Sequence, residues 1–326
     1  VAWLARRLAA KAAGSRHAYY TGLDELFSER FTGQLRALQH RHAFDAVFVE
    51  YVFYSRALDA FPDTVVKVID THDIFADRHV PFIGRPGAKR YMFSIPPQRE
   101  CDGLRRAHVA LAIQAEEGDL LAARLGSGDT PAVAVLSHLL AFPPQVDCAG
   151  HADATFLGSD NQPNRDAVKY FVDEILPHIV ARLPAFRVHL AGTIAAAVPD
   201  GPNIVKHGPV AELGDAFAIA PISINPMLLG TGINIKLLES MSLAVPIVST
   251  RTGARGLGEH DLRGVTVVRD GDPQGFSDAV VRLATDRAHR IAEGAAARES
   301  AQAWHETQLR VLRDTLRRRP PVAAEA

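Results

Sequence analysis

Short apolar runs alternate with longer amphipathic segments along most of the chain, and this alternation predicts strands connected by helices around a parallel sheet. The strands predicted in the first half are 17–20, 44–51, 65–69, 109–113 and 131–136. The helices predicted there are 1–13, 24–40, 84–107 with an interruption at Pro96-Pro97, and 116–125. Because the strand segments are nearly continuous apolar runs, we expect the sheet to be covered on both faces.

The same alternation begins again after 137–150, a stretch without periodicity that contains Pro143-Pro144 and that we interpret as an interdomain linker. The strands predicted in the second half are 154–157, 186–191, 246–250 and 265–268, and the segment 205–208 leads through a short helix to 222–225. The helices predicted there are 164–183 with a kink at Pro177, a short helix that carries Lys236 in its first turn, 273–285 and 287–319. The chain is therefore predicted to contain an amino-terminal α/β domain at 1–145 and a carboxyl-terminal α/β domain at 151–300.

Composition and charge exclude several classes of protein. A chain of 326 residues is long enough for two domains, and 36 Lys and Arg against 37 Asp and Glu give a formal net charge of −1, which argues against nucleic acid as a partner. Cys101 and Cys148 are the two cysteines and show no zinc-ligand spacing, so a cytoplasmic protein is predicted. Residues 1–13 are basic and amphipathic, and we favour packing within the first domain over contact with the inner face of a membrane.

The stretch from 226 to 250 carries the clearest chemistry. Gly230 and Gly232 permit a tight turn directly before the helix that carries Lys236, so backbone N–H groups, the helix dipole and an ammonium converge on one spot that favours an anion. Glu239 lies on the same helical face, about 5 Å further along the axis, and adds a carboxylate that suits a diol. The pattern indicates a nucleotide sugar. The alternative is an ordinary α/β crossover in which Lys236 and Glu239 form a solvated pair.

This stretch resembles the donor-binding signature of the family 4 retaining glycosyltransferases, also described as group 1, which have the GT-B fold. The matching residues are Gly232, Lys236, Glu239, Ala244, Pro246 and Val248. The resemblance implies that the glutamate holds the ribose hydroxyls of a UDP- or GDP-linked sugar, and that the turn and the basic side chains hold its diphosphate. The donor-binding residues implied are Gly158, Gly208, Gly230, Thr231, Gly232, Asn234, Lys236 and Glu239.

A second polar cluster, Asp70-Thr71-His72-Asp73, follows the strand predicted at 65–69. Ligands of open α/β sheets lie beyond the carboxyl ends of the strands, so the cluster is placed where chemistry is expected. A His-Asp pair at this point resembles the family pattern, in which the histidine faces the donor sugar, and we predict His72 and Lys236 as catalytic residues. The alternative is that Asp70, Thr71 or Asp73 caps the start of a helix.

The resemblance implies a GT-B architecture, with two Rossmann-like domains facing each other across a cleft and a terminal helix at 301–326 that packs on the first domain. Because the chain begins at Val1 inside a predicted helix, we expect the amino-terminal domain to lack its first strand. Two features depart from the family pattern. Thr231 occupies the position at which many family members carry a second glutamate. The Arg and Lys pair of the family is not evident after Ser159, and the nearest cation there is Arg165, which is alternatively interpreted as an exposed helix charge.

These observations predict an enzyme that transfers a sugar from a nucleoside diphosphate to an acceptor hydroxyl with retention of configuration. The acceptor is a glycan, a lipid-linked saccharide or a small molecule. We expect no metal or other cofactor, because no Asp-x-Asp pair lies near Glu239, and Lys236 is then expected to balance the charge of the diphosphate. Two alternatives stay open: a nucleotide-sugar epimerase of the same architecture, and a donor-binding subunit without catalytic activity.

Overall fold

The computed structural model describes residues 20–80, 93–126, 131–150, 152–230 and 232–318. The chain divides into two compact units, one formed by Val1–Ser137 with Arg310–Ala326 and the other by His138–Leu309. Each unit has its own parallel sheet, which confirms the predicted α/β class. The predicted helix 1–13, residues 17–19 of the first predicted strand and residues 84–92 of the predicted helix 84–107 lie outside the described residues, and Tyr20 is not in a strand.

The sheet of the first unit has four parallel strands in the order β1-β2-β3-β4. The strands are β1 (Ala46–Glu50), β2 (Val66–Asp70), β3 (Val109–Ala112) and β4 (Ala132–Val135). The helices are α1 (Glu29–His42), a 3₁₀ helix at Val52–Ala60, α2 (Pro97–Leu104) and α3 (Ala115–Leu125). The central strands β2 and β3 bury successive residues such as Val68, Ile69 and Ala110, as expected for a sheet that is covered on both faces.

Helix α1 begins five residues later than predicted, because the segment before it is held by contacts of its own. The carboxylate of Asp24 accepts hydrogen bonds from Arg106 at 2.5 and 2.9 Å, and the carboxylate of Glu25 accepts one from the backbone N–H of Gly22 at 2.8 Å. These bonds hold residues 23–26 as a turn. The partner of Asp24 lies 82 residues away along the chain, so local periodicity contains no sign of it.

Helix α2 begins where the predicted helix was interrupted. Pro97 occupies its first turn, where a missing N–H leaves no hydrogen bond unmade. Pro96 precedes it in an extended conformation, which is the preferred conformation of a residue before proline. The described part of the predicted helix 84–107 is therefore one short helix that starts at Pro97.

The sheet of the second unit has six parallel strands in the order β10-β9-β8-β5-β6-β7. The strands are β5 (Ala154–Leu157), β6 (Val188–Ala191), β7 (Ile204–Gly208), β8 (Ile222–Asn225), β9 (Ile247–Thr250) and β10 (Val265–Val268). The chain runs outward from β5 through β6 to β7 and then returns to the other side of β5 as β8. This doubly wound order creates a topological switch point between β5 and β8, and such sheets bind ligands beyond the carboxyl ends of the two strands at that point.

The helices that begin in the second unit are α4 (Gln162–Tyr170), α5 (Leu176–Val180), α6 (Leu213–Ile219), α7 (Ile235–Ser242), α8 (Pro273–Thr285) and α9 (Arg287–Arg317). Short 3₁₀ helices occur at Thr193–Ala197 and Glu259–Leu262. A π-helical turn at Phe171–Ile175 separates α4 from α5 just before Pro177. Proline has no N–H and its ring displaces the carbonyl four residues earlier, so the regular hydrogen-bond ladder is broken here, near the predicted kink.

The largest core cluster of the second unit lies between this sheet and the helices α4, α5 and α8, with Phe156, Phe171 and Phe276 among its buried side chains. Helix α9 is fixed to the segment before β5. The guanidinium of Arg290 donates to the carbonyl oxygen of Cys148 at 2.7 Å, and Trp304 Nε1 donates to that of His138 at 3.0 Å. Among the described residues, no helix is both long and apolar enough to cross a membrane.

Candidate functional site

A cavity of about 330 Å³ lies at the switch point of the second unit. Its walls come from the loops that follow β5, β8 and β9 and from the first turn of α7. The polar and glycine residues that line it are Ser159, Asn161, Asn164, Gly230, Gly232, Asn234, Lys236, Thr252 and Arg255. Four predicted donor-binding residues, Gly230, Gly232, Asn234 and Lys236, are thus brought together where a doubly wound sheet places its ligand.

Two further predicted contacts, Gly158 and Gly208, are described and do not line this cavity. Thr231 lies outside the described residues. Gly158 directly follows β5, and Gly208 is the last residue of β7. Both pack against Gly192, and the N–H of Gly192 donates to the carbonyl oxygen of Gly208 at 2.6 Å. Gly192 has a φ of 92°, and a Cβ there would lie 2.2 Å from the carbonyl oxygen of Gly158. Gly158 and Gly208 therefore shape the loops at this edge of the sheet, with Gly192 as the residue that permits their close approach.

The ammonium of Lys236 is held at the carboxyl end of β5. Its Nζ donates to the carbonyl oxygen of Leu157 and to Asn164 Oδ1, both at 3.1 Å, and lies 5.6 Å from the centroid of the Phe156 ring. Burial lowers the pKa of Lys236, and the carboxylate of Glu239 partly opposes that shift. An ammonium has three donors, so these two bonds leave one that can reach an anion in the cavity.

The amino terminus of α7 opens onto the same cavity. Its N-cap residue, Asn234, does not cap the helix with its side chain, because Asn234 Nδ2 donates instead to Asn225 Oδ1 at 3.0 Å. The first N–H groups of the helix and the positive end of its dipole are therefore available to an anion.

Arg255 supplies a second cation to this cavity and is a candidate site residue that the sequence motif does not include. Its Nη2 donates to the carbonyl oxygen of Gly232 at 2.7 Å, which leaves most of the five donors of the guanidinium for a ligand. Arg165, the nearest cation by sequence, does not line the cavity. It is exposed and donates to Asp160, as expected from its alternative interpretation as a helix charge.

Glu239 lies one turn further along α7 and does not line the described cavity. Its Oε1 is 3.9 Å from His138 Nε2. Burial raises the pKa of the Glu239 carboxyl, while His138 and Lys236 oppose the shift. The solvated Lys236–Glu239 pair of the alternative interpretation is not formed, because Lys236 is directed to Leu157 and Asn164 instead.

In the first unit, His72 lines a cavity of about 520 Å³ beyond the carboxyl ends of β1 and β2. Its ring stacks on that of Tyr51, with the centroids 4.4 Å apart and the planes 23° from parallel. Both residues have a positive φ, 59° for His72 and 66° for Tyr51, which is a costly conformation that functional sites often hold. Asp70 hydrogen-bonds to the backbone of both residues. Its carbonyl oxygen accepts from the N–H of Tyr51 at 2.9 Å, and its Oδ1 accepts from the N–H of His72 at 3.3 Å.

The interpretation of Asp70-Thr71-His72-Asp73 as a helix cap is wrong, because no helix begins between residues 71 and 79. Thr71 instead donates its hydroxyl to the carbonyl oxygen of Leu111 at 2.8 Å, which ties the loop to β3. Asp73 pairs with Arg78 at 2.7 Å. The polar residues of this loop therefore hold its conformation around His72.

Two carboxylates lie near the imidazole of His72. Its Nε2 is buried, has no hydrogen-bond partner among the described residues, and lies 3.7 Å from Glu50 Oε2 and 3.9 Å from Asp70 Oδ2. Burial raises the pKa of Asp70, and the proximity of His72 opposes that shift. This ring nitrogen therefore lies beside two carboxylate oxygens without a hydrogen bond to either.

Residues 152–286 match the family model of the glycosyl transferases group 1. This segment contains the residues that line the switch-point cavity, together with Glu239. The match supports a group 1 glycosyltransferase and does not favour the epimerase or the donor-binding subunit. No curated protein matches the sequence.

Solved structures of GT-B glycosyltransferases resemble the chain. TarM of S. aureus has a TM-score of 0.62 and 11% identity, covering 88% of this chain and 58% of its own. Sucrose-phosphate synthase from Thermosynechococcus elongatus has a TM-score of 0.61 and 15% identity, and the match covers 92% of this chain and 78% of the synthase. HepE from Anabaena has a TM-score of 0.56 and 13% identity, and the match covers 88% of this chain and 81% of HepE. At these identities the likeness shows the fold alone, and it confirms the predicted GT-B fold of two Rossmann-like units. The chain spans little more than half the length of TarM.

The two cavities differ in what a sequence can reveal. Lys236, Gly230 and Gly232 fall within one short motif, so their convergence is predictable. Arg255 and Tyr51 lie in other loops, and only the ends of neighbouring strands bring them to the cavities. A glycine turn directly after the predicted strand 246–250 is the one signal that could have pointed to Arg255.

Proposed function

We propose that the chain is a retaining glycosyltransferase that moves a sugar from a nucleoside-diphosphate sugar to an acceptor hydroxyl. The observation that carries the proposal is the convergence of Lys236, Arg255 and the amino terminus of α7 on the cavity at the switch point. Three positive features around one cavity suit a diphosphate, which spreads its charge over several oxygens.

In this proposal Lys236 and Arg255 hold the diphosphate and stabilise the charge that it gains as its bond to the sugar breaks. Glu239 accepts hydrogen bonds from the ribose hydroxyls. Those hydroxyls are held alike in the ground state and the transition state, so Glu239→Gln should mainly raise the donor KM. Retention of configuration is the outcome that the family resemblance implies, and the anomeric proton coupling of the product, measured by NMR, tests it.

His72 is proposed to act in the transfer step. A polar or proton-transferring side chain in that role contributes about 10²- to 10⁴-fold to the rate. His72→Ala should therefore lower kcat by a factor in that range while leaving the donor affinity near that of the wild type. An unchanged kcat would remove His72 from catalysis.

Transfer is proposed to need no divalent metal. Among the residues that the structure describes, no three His, Cys, Asp or Glu side chains form a group that could hold a metal ion. The fixed donors of the switch-point cavity can balance the leaving charge instead. We expect full activity in excess EDTA, whereas loss of activity with rescue by magnesium or manganese would contradict the proposal.

The main experiment measures donor affinity by calorimetry. HepE has been solved with UDP and glucose, so UDP-glucose is the first donor to test, within a thermal-shift screen of UDP- and GDP-linked sugars. Saturation at about 100 times Kd should add roughly 2.7 kcal/mol to the free energy of unfolding, which such a screen detects.

Lys236→Ala and Arg255→Ala should each weaken donor affinity about 10- to 150-fold, since a charge-assisted hydrogen bond contributes roughly 1.5 to 3 kcal/mol. Lys169→Ala and Arg165→Ala are matched controls, because both side chains are exposed and pair with a nearby carboxylate. These controls should keep the affinity within about twofold of the wild type. Wild-type affinity in both cavity variants would refute the assignment of the diphosphate site.

A further inference from the structure

The cavity around His72 in the first unit has walls unlike those expected for a saccharide. Six side chains that line it are apolar or aromatic: Leu26, Tyr51, Phe53, Tyr54, Phe75 and Phe93. Its polar lining among the described residues consists of His72, Asp73, Arg78 and the hydroxyls of the two tyrosines. Small-molecule sites commonly combine such apolar walls with a few placed polar groups.

The aromatic rings of this cavity already pack against one another in edge and face contacts. Phe53 lies edge-on to Phe75 with the centroids 5.0 Å apart and 6.0 Å from Phe93, while Tyr51 stacks on His72 and meets Phe75 at 5.9 Å. Phe53 and Phe75 are buried, whereas Tyr51 is 39% and Phe93 48% exposed. A buried aromatic floor with a half-exposed aromatic rim is a surface that another flat ring would cover favourably.

The polar groups that the described residues bring to the cavity are few for a sugar with several hydroxyls. Asp73 and Arg78 pair with each other at 2.7 Å, and the guanidinium of Arg78 also lies over the ring of Phe75 at 5.2 Å. Each hydroxyl buried without a partner costs roughly 1 to 3 kcal/mol. The cavity can therefore accept one or two hydroxyls beside His72, but the several hydroxyls of a pyranose would lose partners against the aromatic wall.

We propose that this cavity takes an acceptor with a planar aromatic ring that bears a hydroxyl group, the hydroxyl directed at His72 and the ring lying on the aromatic rim. This assignment rests on the proposed glycosyl transfer and selects a small molecule among the acceptors that the sequence leaves open. In the reaction the O–H bond of the phenol breaks and its oxygen bonds to the anomeric carbon. The bond from that carbon to the diphosphate breaks, and the diphosphate leaves with the electron pair and takes up the phenolic proton.

Binding of 2-naphthol to the full chain, followed by the fluorescence of the naphthol and in the absence of any donor, tests the ring site. Tyr54→Ala and Phe93→Ala should each weaken this binding about 10-fold, because each removes an aromatic contact and its apolar area. Phe31→Ala is the matched control, since it removes a 56%-exposed ring of α1 that does not line the cavity. Thermal melts of all three variants show whether each one folds. Equal affinity in the wild type, Tyr54→Ala and Phe93→Ala would overturn the assignment.

Competition distinguishes an aromatic ring from the other acceptor chemistries. We expect neither n-octanol nor methyl α-glucoside, each at the concentration of the naphthol, to displace it. Displacement by octanol would assign the cavity to an alkyl chain, and displacement by methyl glucoside would assign it to a saccharide. Either result would overturn the proposal.

Transfer from radiolabelled UDP- and GDP-linked sugars separates this proposal from the proposed function. The expected result is label on 2-naphthol, with kcat/KM lowered in Phe93→Ala and unchanged in Phe31→Ala. Label on methyl glucoside or octanol but not on the naphthol would refute the acceptor class while the glycosyltransferase stands. No label on any of the three, with donor bound and naphthol bound, would refute the glycosyltransferase and the acceptor role together.

Discussion

Glu117 sits in an environment that raises its pKa from 4.5 to about 7. The side chain is 8% exposed in the first turn of α3, its Oε1 accepts a hydrogen bond from Gln114 at 2.9 Å, and its Oε2 has no partner among the described residues. Burial is the main cause of the raised pKa, and the carboxylates of Asp73 and Glu100 add repulsion. We predict that Glu117→Gln stabilises the protein at alkaline pH and much less at acidic pH.

The magnitude follows from proton linkage. In the folded protein Glu117 stays protonated up to a pH of about 7, whereas in the unfolded chain it ionises above 4.5. The unfolded state therefore gains relative stability as the pH rises through that window. With about 1.4 kcal/mol for each pKa unit, this carboxyl lowers the free energy of unfolding by up to about 3 kcal/mol between pH 4 and pH 8. Glutamine keeps the volume and a hydrogen-bond acceptor but does not ionise, so it removes this loss.

Urea unfolding of the wild type and of Glu117→Gln at pH 5 and pH 8 provides the measurement. The difference between the two free energies of unfolding should grow by roughly 2 kcal/mol in favour of the variant at pH 8. Glu116→Gln is the matched control, because Glu116 is the exposed neighbour in the same helical turn and its charge is the smallest of the causes that raise the pKa of Glu117, so its difference should change much less with pH. A difference for Glu117→Gln that is the same at both pH values would refute the reasoning, since it would mean that the carboxyl ionises alike in both states.

Three further predictions rest on single contacts. Gly192→Ala should lower the free energy of unfolding, measured in urea, by more than about 2 kcal/mol, because the new Cβ would meet the backbone at 2.2 Å. Gly126→Ala, also at positive φ but with nothing within 4 Å of the new Cβ, should cost less, because only the backbone strain remains. Burial raises the pKa of the Cys148 thiol from 9.0 to about 11, so its thiolate fraction at pH 8 is about 100-fold lower than that of an ordinary thiol. DTNB should therefore label Cys148 far more slowly in the native than in the unfolded protein. Burial lowers the pKa of His207, and the neighbouring His189 adds to that shift. Protonation of His207 therefore favours the unfolded chain as the pH falls below 6.5. His207→Gln should reduce the loss of stability between pH 7.5 and pH 5.5, as measured by urea unfolding.

The elements that the sequence predicted most closely are those whose signals are all local. The predicted helix 273–285 coincides with α8, since Pro273 occupies its first turn and the side chain of Asp272 caps it by accepting from the N–H of Gly275. Strand β5 coincides with the predicted strand 154–157, because turn residues directly follow this buried apolar run. The start of α1 was misplaced because a long-range ion pair holds the residues before it. Long-range pairing of this kind leaves no trace in local periodicity.

In the candidate site too, the residues with local signals were the ones that the sequence could identify. Lys236 stands in a short motif, and His72 follows a buried strand directly, so both could be identified from neighbouring residues. Tyr51 follows a different strand, and its stack on His72 requires that β1 and β2 pair in parallel register, Glu50 beside Asp70. The order of strands in the sheet, which single residues do not encode, therefore decided which loops share a cavity.

The way in which the two cations of the switch-point cavity are held sets them apart from other basic residues of the same unit. Lys236 and Arg255 donate to neutral oxygens, among them the carbonyl oxygens of Leu157 and Gly232, whereas Arg165 donates to a carboxylate. A carbonyl oxygen fixes the direction of a cation without neutralising its charge. The orientation of both cations is therefore set before a ligand arrives, which lowers the entropy lost on binding. Preorganised charge of this kind, more than the count of basic residues, supports the proposal that the cavity at β5 and β8 holds a diphosphate.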